Sequence, residues 1–172
     1  MKDAEYNLVK DYCLPLAKKW ITLMGCSWDR VDLHWADHYF NEEKDGHPAE
    51  CMAFCDADWR YLHATITFSC AKIFEHFTPS GPKEPEFIEE MIIHEIGHIL
   101  VSEMREYDRS NHNRTVGHEE RVVTRMARAF LYTYQQGRAS AEQVIVGTDE
   151  QSGSANSVDA QVDTADSPPN PS

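Results

Sequence analysis

The sequence has no apolar run near the roughly 20 residues that a membrane-spanning helix needs. Its first residues are partly acidic and lack the apolar segment of a secretory signal, so we expect no cleaved leader. Hydrophobic residues still make up 41% of the 172-residue chain, which is typical of a globular protein with room for one hydrophobic core. We therefore predict a soluble, cytoplasmic protein without a membrane partner.

Paired cysteine motifs are also missing. The five cysteines form no CxxC pair, and an odd number leaves one thiol over after any pairing. This usage is typical of reduced, mostly buried thiols rather than of a disulfide framework. Cys51 and Cys55 are a weaker alternative as two ligands of one metal ion. Residues four apart in an extended segment are poorly placed to bind the same ion.

Basic residues are scarce, with 16 Lys and Arg against 29 Asp and Glu, which gives a formal net charge of −13. Affinity for nucleic acids depends on the neutralisation of phosphates by Lys and Arg. The composition therefore argues against a nucleic-acid partner.

The composition changes after about Gln136 to Gly, Ser, Ala, Asp and Pro, with few large apolar residues. The segment carries one basic and six acidic residues, so it contributes −5 of the net charge. Such a segment buries too little apolar surface to offset the entropy cost of ordering it. We therefore predict a folded domain at residues 1–136 and a disordered acidic tail at residues 137–172.

Hydrophobic spacing predicts an α+β fold, since spacings of three and four favour helices and alternation favours strands. The expected helices cover residues 4–24 (kinked or split at Pro15), 71–77, 84–105 and 119–134. The expected strands cover residues 31–35, 51–55 and 62–68, with loops at residues 41–48 and 107–117. These elements predict a small sheet of about three strands packed on the last two helices.

The helix predicted at residues 84–105 contains the sequence His94-Glu95-Ile96-Gly97-His98. Two histidines four residues apart project from one face of a helix, so both imidazoles can bind one ion. Glu95, next to His94, can reach a metal-bound water rather than the metal itself. The HExxH motif provides this arrangement of two ligands and one base. Because the rest of this helix is strongly apolar, its ionisable groups should be paired or bind a metal. We predict a zinc ion on His94 and His98, with Glu95 as the catalytic base.

A hydrolytic zinc site needs a third protein ligand and an open fourth position. The longer motif HExxHxxGxxH would supply the ligand, but no histidine follows His98 at that spacing. The last predicted helix begins with Glu119 and Glu120, and we favour Glu120 because small residues share its face. Glu119 is the alternative third ligand, and His118 is a weaker one.

Other residues fit supporting roles around this site. Gly97 costs about 1 kcal/mol of helix stability relative to Ala, and close packing of a neighbouring element would explain its presence. Thr124, one turn after Glu120, can hold a ligand by hydrogen bonding. Candidates for stabilising an oxyanion crowd the loop between the two helices: Tyr107, Arg109, His112, Arg114 and His118. Glu89 and Glu90 are expected on the helix surface.

The HExxH motif followed by Glu120 on a downstream helix resembles the gluzincin pattern, and over about residues 62–130 it is similar to small phage and mobile-element zinc metallopeptidase-like proteins. The resemblance implies a minimal zincin-like domain that hydrolyses peptide bonds in a specific protein or peptide substrate. It also implies that the strand at residues 62–68 is the edge of the sheet along which the substrate chain lies. The alternative is a non-catalytic, zinc-stabilised interaction module of phage or mobile-element origin.

Overall fold

The computed structural model describes residues 1–26, 28–42, 48–102 and 112–152. Its helices are α1 (Asp3–Leu23), α2 (Cys70–Phe74), α3 (Pro85–Val101) and α4 (His112–Ser152). Its strands are β1 (Arg30–Ala36), β2 (Phe40–Glu42), β3 (Pro48–Glu50), β4 (Ala53–Asp58), β5 (His63–Ser69), β6 (Phe77–Thr78) and β7 (Gly81–Pro82). The fold is a mixture of helices with a small three-stranded sheet, which confirms the predicted α+β class at this level.

The main sheet has the strand order β1-β5-β4. Strand β1 runs parallel to β5, with Leu33 opposite Ile66, and β4 runs antiparallel to β5, with Cys55 opposite the same Ile66. Because β5 is paired on both sides, the expectation that residues 62–68 form an open edge is wrong. The alternation of buried side chains identified the buried face of this strand, but it contains no information about its neighbours.

The hydrophobic core lies between this sheet and the helices. Strands β4 and β5 contribute side chains at alternate positions, as a strand with one buried face must. Helix α3 contributes a nearly continuous apolar surface, as its sequence predicted. The largest fully buried side chains of the core include Ile66 and Phe68 from β5, Val9 and Cys13 from α1, and Ile88, Ile92, Ile93, Ile96 and Ile99 from α3.

Helix α1 runs without a break through Pro15. A proline inside a helix removes one backbone hydrogen bond and disturbs the preceding turn. In α1, the buried residues Val9, Cys13, Ala17 and Trp20 continue one stripe across the proline. Packing of this stripe on the core therefore maintains the helix, and the predicted split at Pro15 is wrong.

Several element boundaries differ from the predicted ones. The loop expected at residues 41–48 contains the strands β2 and β3, which pair as a hairpin, while residues 43–47 lie outside the described residues. The strand expected at residues 51–55 is shifted to Ala53–Asp58. Helix α3 begins with Pro85 in its first turn, as predicted, and ends at Val101; residues 103–105 of its predicted range lie outside the described residues.

The chain divides into two compact units, Met1–Tyr134 and Gln135–Ser172. Helix α4 begins at His112, inside the predicted loop, and continues to Ser152 instead of ending near Tyr134. The predicted disorder of residues 137–172 rested on their few apolar side chains, whereas residues 138–143 are rich in helix formers. Residues 153–172 of that tail lie outside the described residues. Within the described part of the chain, no helix is long and apolar enough to cross a membrane.

Candidate metal centre

Helix α3 brings the rings of His94 and His98 together on one side. Their Nε2 atoms are 3.1 Å apart, and the ring planes are nearly perpendicular, at 77°. This follows from the spacing of four residues, which stacks side chains one turn apart on the same helix face. His98 is 5% exposed, and His94 is half-buried at the solvent side of the pair.

Helix α4 places the Glu120 carboxylate against both rings. Glu120 Oε2 lies 3.2 Å from His94 Nε2, and Oε1 lies 3.4 Å from His98 Nε2. One candidate ligand atom from each of the three residues lies within 4.8 Å of the other two. The Glu120 side chain is 51% exposed, so the centre faces solvent on this side. The structure thus brings together the three residues that the sequence favoured as metal ligands.

Glu119, the alternative ligand, lies on the other side of the His98 ring. Its Oε1 is 2.7 Å from His98 Nδ1, and both side chains are only 6% exposed. When Nδ1 donates its proton to this carboxylate, the lone pair of Nε2 is free to bind a metal. Glu119 is therefore placed to orient His98, a candidate ligand, which is a role that its sequence position did not distinguish from ligation.

Thr124 has a comparable position behind the second histidine, with Oγ1 3.5 Å from His94 Nδ1. The distance is at the long limit of a hydrogen bond. Thr124 therefore lies beside His94, a candidate ligand, and its role in holding a ligand stays a prediction.

The close approach of α4 to α3 depends on Gly97. A Cβ atom built at this position would lie 2.8 Å from Cγ1 of Val123, which is buried. No side chain tolerates that distance without movement of one of the two groups. The expectation that a neighbouring element packs closely against Gly97 is confirmed, and this contact fixes the separation of the two helices that carry the centre.

Glu95 is buried, with 8% of the residue exposed. Burial raises the pKa of this carboxyl group above its ordinary value, while the charges of His98 and His94 act in the opposite direction. The backbone N–H of Cys55, in β4, also acts to lower this pKa, so the carboxyl group lies near that strand. The Glu95 carboxyl group therefore lies between the side chains of His94 and His98 on one side and strand β4 on the other.

The register of the sheet indicates how β4 lies relative to the centre. In an antiparallel pair, opposed residues alternate between bonding their partner and facing outward. Ser69 N–H donates to the Met52 carbonyl just before β4, so Cys55, three residues further on, is a position whose N–H faces away from β5. Of the described strands, none pairs with this side of β4. Because the Cys55 N–H also lowers the pKa of Glu95, this outer edge of β4 lies near that carboxyl group.

A cavity of about 210 Å³ opens next to His94. It is lined by Phe87, Glu90, Met91, His94 and Thr124, so one wall is apolar and the other includes a candidate ligand. Nothing in the sequence pattern identified this cavity, because its lining comes from two helices that are separated in the chain. Glu90, which we expected on the helix surface, lines the cavity and accepts a hydrogen bond from Arg128 Nε at 2.8 Å.

The residues predicted to stabilise an oxyanion are placed only in part. Tyr107 and Arg109 lie outside the described residues, and His112 and Arg114 are in the first turns of α4, where side chains are not described. His118 is exposed and does not belong to the group formed by His94, His98 and Glu120. Their roles stay predictions. Cys51 and Cys55, the weaker alternative pair, form no candidate metal group among the described residues.

The donor set matches what a catalytic zinc ion requires. Two imidazole nitrogens and one carboxylate oxygen make the three-ligand set that leaves a fourth position open, and a buried carboxylate behind one histidine is the usual support for such a ligand. The residues present therefore fit zinc. No protein-family model, curated protein or solved structure matches the chain, so this fit depends on the geometry of the chain itself.

Proposed function

We propose that the protein is a zinc-dependent peptidase. One observation carries the proposal: the Nε2 atoms of His94 and His98 and the carboxylate of Glu120 converge at one half-exposed point. A purely structural ion pair does not require two imidazoles 3.1 Å apart with a second carboxylate behind one of them. We include two further points in this proposal: that the fold is zincin-like, and that the protein is related to small phage metallopeptidase-like proteins.

The residues have separate tasks in the proposed reaction. A bound zinc ion supplies a Lewis acid that acidifies water and polarises a peptide carbonyl. His94, His98 and Glu120 hold the ion, and Glu119 keeps the His98 ring oriented through Nδ1. Glu95 accepts a proton from the attacking water and passes it to the leaving amine.

The substrate in this proposal is an extended segment of a protein or peptide. Of the described strands, none pairs with the outer edge of β4 near Glu95, and an extended chain can add to such an edge as a further strand. The cavity next to His94 has an apolar wall formed by Phe87 and Met91, which can receive one side chain of that segment.

The proposal is tested by metal analysis and by the variant Glu95→Gln. The wild-type protein should bind one zinc ion and cleave members of a proteome-derived peptide library. Glu95→Gln should keep zinc and lose about 10²–10⁴-fold of the cleavage rate, because general-base catalysis contributes that much. Glu86→Gln, an exposed position on the same helix, is the matched control and should retain the rate. Absence of zinc, or unchanged cleavage by Glu95→Gln, would refute the proposal.

The non-catalytic, zinc-stabilised interaction module is the second candidate. It is favoured by one observation: Glu95 is buried near the Cys55 backbone of β4, so its carboxyl group is also part of the packing of α3 on β4. In that case Glu95→Gln would change the unfolding free energy while no peptide in the library is cleaved. Zinc content alone does not separate the two candidates, whereas turnover and stability measured together do.

A further inference from the structure

Helix α4 carries a basic stripe on an otherwise acidic protein. Residues 121–141 contain four arginines and no Asp or Glu, although the whole chain has 29 acidic residues against 16 basic ones. Arg121, Arg125 and Arg128 are all exposed, and their spacing of four and three places them on one helix face. We call these three residues the arginine stripe. Tyr132, one turn further on the same face, is 65% exposed.

The stripe has cationic groups to offer a ligand. Among the described residues, no carboxylate lies within ion-pair distance of Arg121 or Arg125. Arg128 donates to Glu90, but its side chain is still 69% exposed. Holding exposed arginines next to one another costs repulsion that no described acidic residue relieves at Arg121 and Arg125. An acidic ligand would relieve it.

The stripe borders the metal centre. Thr124 lies within the same turns of α4 and lines the cavity next to His94. Glu90 lines that cavity too, and it is the carboxylate bonded to Arg128. A segment lying along the arginine stripe therefore passes the mouth of the cavity.

We infer that the arginine stripe docks an acidic segment of a protein. Guanidinium groups bind carboxylates through paired hydrogen bonds, so glutamates and aspartates on an extended segment suit this spacing of arginines. A nucleic acid fits less well, because its affinity grows with the number of neutralised phosphates, and a chain with net charge −13 repels a long polyanion beyond the stripe. The docking of an acidic segment does not depend on the proposed peptidase function. Only the further statement that this segment is part of the substrate rests on that function.

Binding is measured by fluorescence anisotropy on the full chain at low salt, independently of turnover. The probe is a labelled peptide of about twelve residues that alternates Glu and Ser, compared with a peptide in which Gln replaces every Glu. We expect the acidic peptide to bind and the Gln peptide not to bind. Replacing both of these arginines, in Arg121→Gln with Arg125→Gln, should weaken binding roughly sevenfold, in the middle of the about two- to thirtyfold range for the loss of two exposed ion pairs.

The matched control is Lys2→Gln with Lys18→Gln, which changes the net charge equally at two exposed positions, one just before α1 and one within it. It should leave affinity within about twofold of wild type, and circular dichroism checks that all variants keep their helices. Equal loss in both double variants, or no binding of the acidic peptide, overturns the docking surface. Tighter binding of an oligothymidylate of similar length overturns the choice of a protein segment. If the acidic peptide binds but no zinc-dependent cleavage is found, the peptidase proposal fails and the docking surface is supported. If cleavage is found but the acidic peptide does not bind, the docking surface fails and the peptidase proposal is supported.

Discussion

At the residue scale, Glu119 and Glu120 show how one position on a helix separates two roles. Adjacent residues differ by about 100° around the helix axis. That rotation places Glu119 in the buried layer, against His98 Nδ1, and leaves Glu120 half-exposed, against both Nε2 atoms. The first orients a candidate ligand, and the second is itself placed to bind the ion.

Alanine substitution at the two glutamates should therefore weaken zinc binding to different degrees. Glu120→Ala removes a ligand, whereas Glu119→Ala removes the support of one, which typically costs about 10–100-fold in metal affinity. We expect the larger loss for Glu120→Ala, measured by competition with a chromophoric chelator. Glu119→Ala should also lower stability, because it leaves His98 Nδ1 buried without its acceptor. A larger loss of affinity for Glu119→Ala would exchange the two roles.

The sequence was sufficient to bring His94, Glu95, His98 and Glu120 into one hypothesis, because the helix spacing fixes which side chains share a face. It was not sufficient to separate Glu119 from Glu120, since apolar or small side chains accompany both on α4. It also could not indicate that Glu95 lies near the Cys55 backbone, because that proximity depends on how α3 packs on β4. Contacts between distant elements are set by tertiary packing, which residue spacing does not encode.

Gly97→Ala is a second test at the residue scale. The new Cβ would meet Val123 Cγ1 at 2.8 Å, and a buried β-branched side chain has little freedom to move away. We expect a net loss of stability, because overpacking costs about 1–3 kcal/mol and Ala regains at most about 1 kcal/mol over Gly in a helix. Urea unfolding measures the difference.

The controls for this variant are Gly117→Ala and a double-mutant cycle. Among the described residues, a Cβ built at Gly117 meets no atom within 4 Å outside its own stretch of helix, so Gly117→Ala should be neutral or stabilising. Adding Val123→Ala to Gly97→Ala should recover part of the lost stability as a favourable coupling energy. Additive effects would mean that the two helices do not meet at this contact.

At the scale of elements, α1 is joined to α3 by a polar contact that the hydrophobic pattern did not predict. Glu89, expected on the helix surface, is half-buried and accepts hydrogen bonds from Trp20 Nε1 at 2.6 Å and Lys19 Nζ at 2.7 Å. The Lys19 ammonium also lies over the Tyr134 ring, 4.1 Å from its centroid. The periodicities predicted which elements exist, whereas the order β1-β5-β4 and this contact required the assembled structure.

Glu89→Ala should destabilise the protein by about 1–3 kcal/mol, because it leaves the largely buried Trp20 indole N–H without an acceptor. Glu75→Ala removes an exposed carboxylate paired with Lys72 and should change stability by no more than about 0.5 kcal/mol. Thermal or urea unfolding of both variants checks the comparison. Equal effects of the two substitutions would show that the contact between α1 and α3 contributes nothing specific.

At the scale of the whole molecule, the five cysteines form no disulfide bond, and three of them are buried. Burial raises the pKa of Cys13 to about 12 and that of Cys70 to about 11. At pH 8 each is then a reactive thiolate in no more than about one molecule in a thousand. A chromogenic thiol reagent should therefore titrate at most the half-buried Cys26 and Cys51 quickly in the native protein, and all five after unfolding. Rapid native labelling at Cys13 or Cys70, mapped by mass spectrometry, would contradict this.

The last prediction concerns the boundary between the two units. Among the described residues, every buried hydrophobic side chain lies at or before Leu131, and the described side chains at residues 136–141 are exposed. Residues 137–172 therefore have little apolar surface to contribute to the cooperative core, even though α4 continues to Ser152. Truncation after Gln136 should leave the melting temperature and the zinc content nearly unchanged, and should lower helical ellipticity by the share of the removed helix. A fall of several degrees in the melting temperature would mean that the second unit stabilises the first, since a change of about 1 kcal/mol shifts it by a few degrees in a domain of this size.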